Sequence, residues 1–391
     1  MRCLDWLENH PRSLRSSAKF FFICVFSFYF SHSFAQSQLN NQKRTSDPAG
    51  LTQIKSGLGI IWAMDFINAD YLVFTERNGA AGVLNINNGQ VDWLDNLPQV
   101  YGYGQGGLLD VKTAPDFAQS RWLYFTYAKP FADNARTTLA RARLEFVDER
   151  FRLADWQDLL ISDSLTDSDI HFGSRIAFDG DGHVFFSIGD RGQRANAQNL
   201  QNHAGKVLRL TMDGRVPTDN PFAGLNNVKP EIWSYGHRNP QGLFFDSRRV
   251  RLWEMEHGPR GGDEINLIVK GGNYGWPVVS QGREYFSGAP VGEPHKAGMI
   301  EPVKVYIPSI APSDLLVYQG ERFVQWRGSL FSGALKLQHL NQVVLDEQLR
   351  PLLEKRHFES LKQRIRAIAE DDSGRLYIAT DNGNIYQWSN D

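Results

Sequence analysis

The sequence predicts an all-β chain folded as a six-bladed β-propeller, with four-stranded antiparallel blades and long loops inserted over one face. Three observations carry this. One phrase (an apolar strand, a polar turn, a second strand) returns six times along the chain. Glycine supplies 35 of the 391 residues and aromatic side chains 12%, a mixture suited to many short strands joined by tight turns. No long stretch of 3.6-residue apolar period interrupts the copies, which argues against a doubly wound parallel sheet.

The copies run in order through 62–77 (WAMDFINADYLVFTER), 108–128, 174–190 (SRIAFDGDGHVFFSIGD), 240–258, 315–335 and 365–383 (IRAIAEDDSGRLYIATDNG). Their second strands start near Tyr71, Trp122, His183, Leu252, Leu330 and Leu376, at spacings of 51, 61, 69, 78 and 46 residues. Periods of this size with several strands per unit indicate a radial array, and six four-stranded blades around an axis fit the count. A pair of β-sandwiches is the alternative. The uneven spacing predicts inserts, chiefly at 191–230 and 270–312. The last copy has room for only three strands. Residues 51–60 (LTQIKSGLGI) are therefore expected to supply the fourth and close the ring, making 51–391 one propeller domain.

Residues 1–35 read as a secretory signal peptide. Arg2, Arg12, Arg15 and Lys19 precede an apolar run from Phe20 to Phe30, and Ser33-Phe34-Ala35 offers a small-x-small cleavage site. The run is shorter than the roughly 20 residues of a bilayer span, so stable membrane insertion is not expected; an uncleaved anchor is the alternative. Residues 36–50 are polar and read as a disordered lead-in. Both cysteines, Cys3 and Cys24, fall in the segment to be removed. A periplasmic or secreted protein without disulfides must rely on the size of its core, and this chain is long enough. With 42 basic against 44 acidic side chains, net −2, no nucleic-acid footprint is present.

Several stretches carry candidate chemistry. Gly102 to Gly107 matches G-x-G-x-x-G, but a strand follows it instead of a helix, which excludes a dinucleotide site. It is a flexible turn, or a turn whose glycines display Gln105 to a flat ligand. His171 stands on a loop entering the third copy, where a neutral imidazole can take a proton from an alcohol; a structural histidine is the plainer reading. Tyr235 to Gly242 is dense in donors, and its Arg238 and Asn239 suit carbonyl or carboxylate oxygens or else an interblade salt bridge. Glu256 to Asn266 (EHGPRGGDEIN) combines carboxylates with carbonyls freed by Gly258-Pro259, the ligand set of a hard cation such as Ca2+ or simply a solvated acidic turn. Asp179 to Gly182 lacks a 12-residue calcium loop and reads as a hairpin turn. Arg364 and Arg366, two residues apart, share a face if in a strand. They repel unless an anion lies between them, which points to a polycarboxylate or phosphate ligand, with Lys336 nearby; surface exposure is the alternative. G-x-S-x-G, H-E-x-x-H and cysteine metal spacings are absent.

Taken in order, QGGLLD (105–110), HFGSR (171–175), EIWSYGHRNPQG (231–242), EHGPRGGDEIN (256–266), GGNYGWP (271–277), APS (311–313), GALK (333–336) and RIRAI (364–368) resemble the PQQ-dependent soluble aldose sugar dehydrogenases of the glucose/sorbosone dehydrogenase family over roughly 52–388. The resemblance implies a six-bladed propeller carrying pyrroloquinoline quinone (PQQ) on the axis with Ca2+ beneath it. It implies His171 as proton acceptor and Arg238 as its catalytic companion. It places quinone binding on Gln105, Arg238, Asn239, Tyr285, Ser309, Lys336, Arg364 and Arg366. The Gly258 and Pro259 carbonyls match contacts to the cofactor's calcium, and Glu264 with Tyr274 a second, structural calcium. The implied reaction is oxidation of an aldose at C1 to the lactone, with electrons passing to a quinone or dye acceptor, by a monomer or homodimer. Two departures are visible. Ile170 precedes His171 where glucose-oxidising members carry an acid that supports the base, which leaves the orientation and pKa of His171 without that support and implies a broader sugar preference. The region 280–300 is short, which opens the cleft. A calcium-dependent lactone hydrolase of six-bladed type remains an alternative, although it has no need of the arginine pair, as does a binding propeller without chemistry.

Overall fold

Strand formation follows the repeat phrase. Its first and second strands are rich in β-branched and aromatic residues and nearly fully buried, as in Tyr71–Glu76 and His183–Ile188, while Asx and glycine turns reverse the chain between them. The computed structural model describes residues 50–388; the expected signal at 1–35, all but the last residue of the lead-in and the final three residues lie outside them.

Six four-stranded antiparallel sheets are arranged as blades. Blade 1 comprises Ile61–Phe66, Tyr71–Glu76, Ala81–Asn85 and Val91–Trp93. Blade 2 has the longest strands, Leu108–Thr113, Trp122–Phe131, Asn134–Val147 and Arg150–Ile161. Blade 3 is built from Ile176–Phe178, His183–Ile188, Lys206–Thr211 and Ile232–Tyr235, and blade 4 from Pro240–Asp246, Arg251–Glu256, Asp263–Ile268 and Lys304–Tyr306. Blade 5 contains Pro312–Val317, Leu330–Ala334, His339–Leu345 and Pro351–His357. Blade 6 takes Ile365–Glu370, Leu376–Thr380 and Ile385–Trp388, and its fourth strand is Leu51–Lys55 from the other end of the chain. Leu51 pairs with Trp388 and Gln53 with Tyr386, the closure expected from residues 51–60.

The core lies between blades. Trp62 and Val73 of blade 1 pack with Leu109 and Phe125 of blade 2, and Trp253 and Met255 of blade 4 with Leu315 and Val317 of blade 5. Carboxylates on the first strands interlock the ring. Asp65 accepts the Thr113 N–H, Asp110 the Ile176 N–H and Asp314 the Ile368 N–H, each from the next blade.

Antiparallel order places two sets of loops at one end of the ring: those entering each first strand and those joining second to third strands. Gln105, His171, Arg238, Asn239, Ser309 and Arg364 belong to the first set; Asp190, Gly258, Pro259, Lys336 and Asp381 belong to the second. The 191–230 span contains the strand Lys206–Thr211 and so divides into two loops. The 270–303 segment reaches this end of the ring, bridging Tyr235 through Asn273 and Arg260 through Arg283.

The axis is filled by Arg175, only 2% exposed. From blade 3 its guanidinium and Nε reach all five other blades. It bonds Asp110 Oδ1 at 3.2 Å, the Trp62 carbonyl at 3.3 Å, the Gln241 carbonyl at 2.9 Å and the Arg366 carbonyl at 3.3 Å, and pairs with Asp314 at 3.7 Å. It also lies 4.1 Å over the Trp62 ring. Burial pushes the Asp110 carboxyl up to about 6, opposed by Arg175 and Lys112. Removing the cation strands buried carboxylates. Arg175→Met is therefore expected to lower unfolding free energy by about 3–5 kcal/mol, read from the urea midpoint. Adding Asp110→Asn should recover part of that loss; strictly additive losses would show that the two side chains are not coupled.

Candidate active site

The loops at this end enclose a cavity of about 150 Å3 over the Arg175 plug, lined among others by Gln105, Gly173, Asn239, His257, Arg364 and Arg366. Four of the sequence-predicted residues therefore meet in one place. A larger space of about 550 Å3 opens at the far ends of the first strands, beside Asp65, Lys112 and Glu370. None of the predicted site residues lines it.

His171 adopts φ +56° on the loop before blade 3. Its backbone N–H donates to Gln105 Oε1 at 2.8 Å. Its Nδ1 lies 2.6 Å from Asp190 Oδ1. Asp190 is further held by the Gly192 N–H at 2.8 Å and by Trp276 Nε1 at 2.8 Å. Burial would raise the Asp190 carboxyl, but the His171 bond and the Arg238 charge hold it below its usual value. An ionised Asp190 accepts from Nδ1–H and leaves the Nε2 lone pair of His171 free as a base. Burial lowers the His171 pKa, with Arg238 and Arg191 pushing the same way against Asp190, so the ring is neutral at pH 7. The support that Ile170 does not give thus comes from Asp190. The Ile170 carbonyl instead accepts from the Arg191 guanidinium, which also holds the Ser168 carbonyl at 2.7 Å and lies 3.5 Å over the Phe172 ring.

Arg238 donates Nη1 to the His257 carbonyl at 3.0 Å and lies 5.4 Å from the Trp276 ring centroid. Asn239 Oδ1 accepts from Gln241 Nε2 at 3.2 Å and Gly173 N–H at 3.3 Å. Burial depresses the His257 imidazole to about 3; it is neutral and donates Nε2–H to the Pro312 carbonyl at 2.6 Å.

The arginine pair corrects one expectation. An anion does lie between Arg364 and Arg366, but it is Asp381 of the chain itself. Asp381 accepts from Arg364 Nε at 2.7 Å and from Arg366 Nε and Nη2 at 2.7 and 2.9 Å. Two guanidiniums against one carboxylate still leave a net positive charge at the cavity, so a ligand anion is accommodated without being required for the pair to coexist. Lys336 is exposed at the same end of the ring and does not line the cavity, and Tyr285 is 57% exposed on the 280s loop. Ser309 is buried against the Gly258–Asp263 turn, where its Oγ meets Asp263 Oδ1 at 2.9 Å and the Gly261 N–H at 3.1 Å.

The residues fit the groups that the resemblance implies. A cationic cavity walled by two amides suits a planar polyanion. Among the described residues no hydrogen bond reaches the Gly258 carbonyl, and the Pro259 carbonyl receives only a long 3.4 Å contact from Ser309; such carbonyls are hard-cation ligands. Glu264 faces Glu256 across the sheet. The Tyr274 hydroxyl is committed to the Leu267 carbonyl at 2.6 Å and the Val269 N–H at 2.9 Å, so a cation held there would meet its backbone carbonyl.

Sequence reading missed Asp190, Trp276, His257 and Gln241. Asp190 closes the third repeat phrase, two glycines flanking an Asp-Arg pair (189–192) being its one signal.

A family model described as Glucose / Sorbosone dehydrogenase matches residues 58–387. The aldose sugar dehydrogenase YliI of Escherichia coli (strain K12) is 38% identical over 330 residues, covering 82% of this chain and 86% of that protein. The quinoprotein glucose dehydrogenase B of Acinetobacter calcoaceticus is 28% identical over 418 residues, covering 86% and 85%. A solved glucose dehydrogenase superposes with TM-score 0.83 at 36% identity, covering 87% of this chain and 99% of its own.

The depressed His171 pKa makes a prediction for the ligand-free protein. Its ring should remain neutral in an NMR titration at pH 6.5, the ordinary histidine value. Its contribution to stability is fully present above that pH and is lost as pH falls through the lower folded value. Asp190→Asn removes a group that raises this pKa and should move the titration lower still; an upward move would contradict the assigned hydrogen bond.

Proposed function

The chain belongs to the glucose/sorbosone dehydrogenase family, and we propose on that premise that it oxidises aldose sugars at C1 to the corresponding lactones with PQQ and Ca2+ as cofactors. Support comes from a carboxylate-oriented, neutral imidazole at the same end of the ring as a cationic cavity, the two joined through Gln105, which lines the cavity and accepts the His171 N–H. It comes also from the quinoprotein name of the Acinetobacter relative and the aldose name of the Escherichia one.

Bound PQQ supplies the two-electron acceptor for the hydride of C1, and Ca2+ beside it supplies Lewis acidity. The rest is done by the chain. His171 Nε2 takes the proton of the anomeric hydroxyl, and Asp190 stabilises the imidazolium that forms, as an oriented carboxylate does for any base histidine. Trp276 and the Gly192 N–H keep that carboxylate from turning. Arg364, Arg366, Gln105, Asn239, Lys336, Tyr285 and Ser309 would hold the cofactor, the two arginines through its carboxylates. The Gly258 and Pro259 carbonyls would hold its calcium, and Glu264 with the Tyr274 carbonyl the structural one. Arg238 would contribute a fixed positive charge at the same end of the ring. The electrons leave to a quinone or dye acceptor, and the protein works as a periplasmic or secreted monomer or homodimer.

The test is dye-linked oxidation of an aldose panel by protein reconstituted with PQQ and Ca2+, against protein given neither. Turnover should require both; lactone hydrolysis by the untreated protein in place of oxidation would overturn the reading. In the reconstituted enzyme His171→Ala should lower kcat about 10²–10⁴-fold with little change in KM, and undiminished dye reduction would remove His171 from its role. Arg366→Ala should weaken PQQ binding about 10–150-fold, the worth of one charged hydrogen bond, measured by titration of the apoprotein.

A further inference from the structure

We propose that the junction of blades 3 and 4 holds a divalent transition-metal cation, of the zinc or manganese class, on His237, Glu254, Glu256 and Asn266. These side chains have no part in the sugar or quinone chemistry above; Glu264, opposite Glu256, and Tyr274, stacked on His237, border the set without belonging to it.

Strand register builds the site. Glu254 and Glu256 are two apart on the second strand of blade 4, and Asn266 on the third strand pairs directly with Glu254. All three side chains therefore leave the same face of the sheet. His237 enters from the loop that joins blade 3 to blade 4. The four residues are 0–4% exposed. Ligand atoms of His237, Glu254 and Glu256 all lie within 4.8 Å of one another. Among the described residues no lysine or arginine side chain pairs with either carboxylate; the basic side-chain nitrogen near them is His237 Nδ1, at 3.3 Å from Glu256 and 4.0 Å from Glu254.

A second observation points to a missing partner. Glu254 Oε1 and Asn266 Oδ1 are both buried and have no hydrogen-bond partner. With Glu254 ionised both atoms are acceptors and cannot satisfy each other, and buried acceptors are rarely left unpaired. A cation satisfies oxygens where no donor is present. The Asn266 amide faces Glu254 Oε2 at 2.9 Å and Glu256 Oε1 at 3.4 Å, and a half-turn of that amide exchanges its nitrogen for its oxygen among the same atoms. His237 Nε2 lies 2.9 Å from Ser234 Oγ. Donation from Nε2–H to that hydroxyl leaves the Nδ1 lone pair facing the carboxylates, the usual outer-sphere orientation of a metal-binding histidine. One imidazole nitrogen among oxygens suits zinc or manganese; calcium takes oxygen alone.

The cation would steady the cavity wall. Glu256 Oε2 also accepts the backbone N–H groups of Arg238 and Asn239, and the Tyr274 ring stacks on His237 at 4.7 Å. Fixing Glu256 and His237 thus fixes the loop that carries Arg238 and Asn239.

The test uses full-length protein stripped with chelator, saturated with Ca2+, then exposed to Zn2+ or Mn2+ and desalted. Atomic emission should find one equivalent of the transition metal, and Mn2+-loaded protein should show nitrogen coupling by pulsed EPR. Glu254→Gln keeps the shape and should lose at least tenfold in affinity, together with the metal-induced rise in Tm. Glu321→Gln, at an exposed acid of blade 5, should keep both. No retained Zn2+ or Mn2+ in the wild type, occupancy by Ca2+ alone, or equal binding by Glu254→Gln would each overturn the proposal. These readouts need no turnover, so they stand or fall apart from the dehydrogenase reading.

Discussion

One guanidinium organises the molecule. Arg175 leaves blade 3 and ends on the axis, where it bonds or pairs with groups of the other five blades. A propeller has no continuous core around its axis, since each blade packs only against its two neighbours. A planar cation with donors in several directions is suited to that place. Asp110 and Asp314 give it charge, and the same carboxylates accept N–H groups of adjoining blades. The contact that joins the ring is therefore also the floor of the cavity above it.

The site follows from that floor and from strand parity. Loops at one end must carry whatever chemistry the fold performs, and here they carry opposite kinds of group side by side. Arg364, Arg366 and Arg238 bring positive charge, while Asp190 and Asp381 orient it or balance part of it. Burial keeps His171 uncharged among these cations, which suits a proton acceptor. Asp190 is the pivot. It touches the His171 ring and the Trp276 indole, and its own N–H is held by the Arg238 carbonyl at 2.8 Å, so the imidazole and the Arg238 backbone are tied to one residue.

Much of the architecture was legible because the repeat phrase is strong. The expected starts of the second strands fall at or next to the observed ones, and Leu51–Lys55 closes blade 6. What was not legible depended on contacts between distant loops. Asp381 comes from the turn between the second and third strands of blade 6, so spacing alone could not reveal that it sits between Arg364 and Arg366. The concern raised by Ile170 dissolved for a similar reason: the carboxylate that matters stands 19 residues on from His171, not beside it. Arg175 closes the HFGSR motif, yet only its contacts to the five other blades show it to be an axial group. Glu254 reads as one more acid in a strand, and only the cross-strand register shows it against Glu256 and Asn266.

Blade 6 is assembled from the two ends of the described chain, with Leu51 hydrogen-bonded beside Trp388. Leu51–Lys55 therefore finds its neighbour only after more than three hundred further residues have been laid down. Until then the outer edge of blade 6 is unpaired. Loop-closure entropy of that length is overcome once, and afterwards the same pairing acts as a latch that holds the two ends of the described chain in one blade.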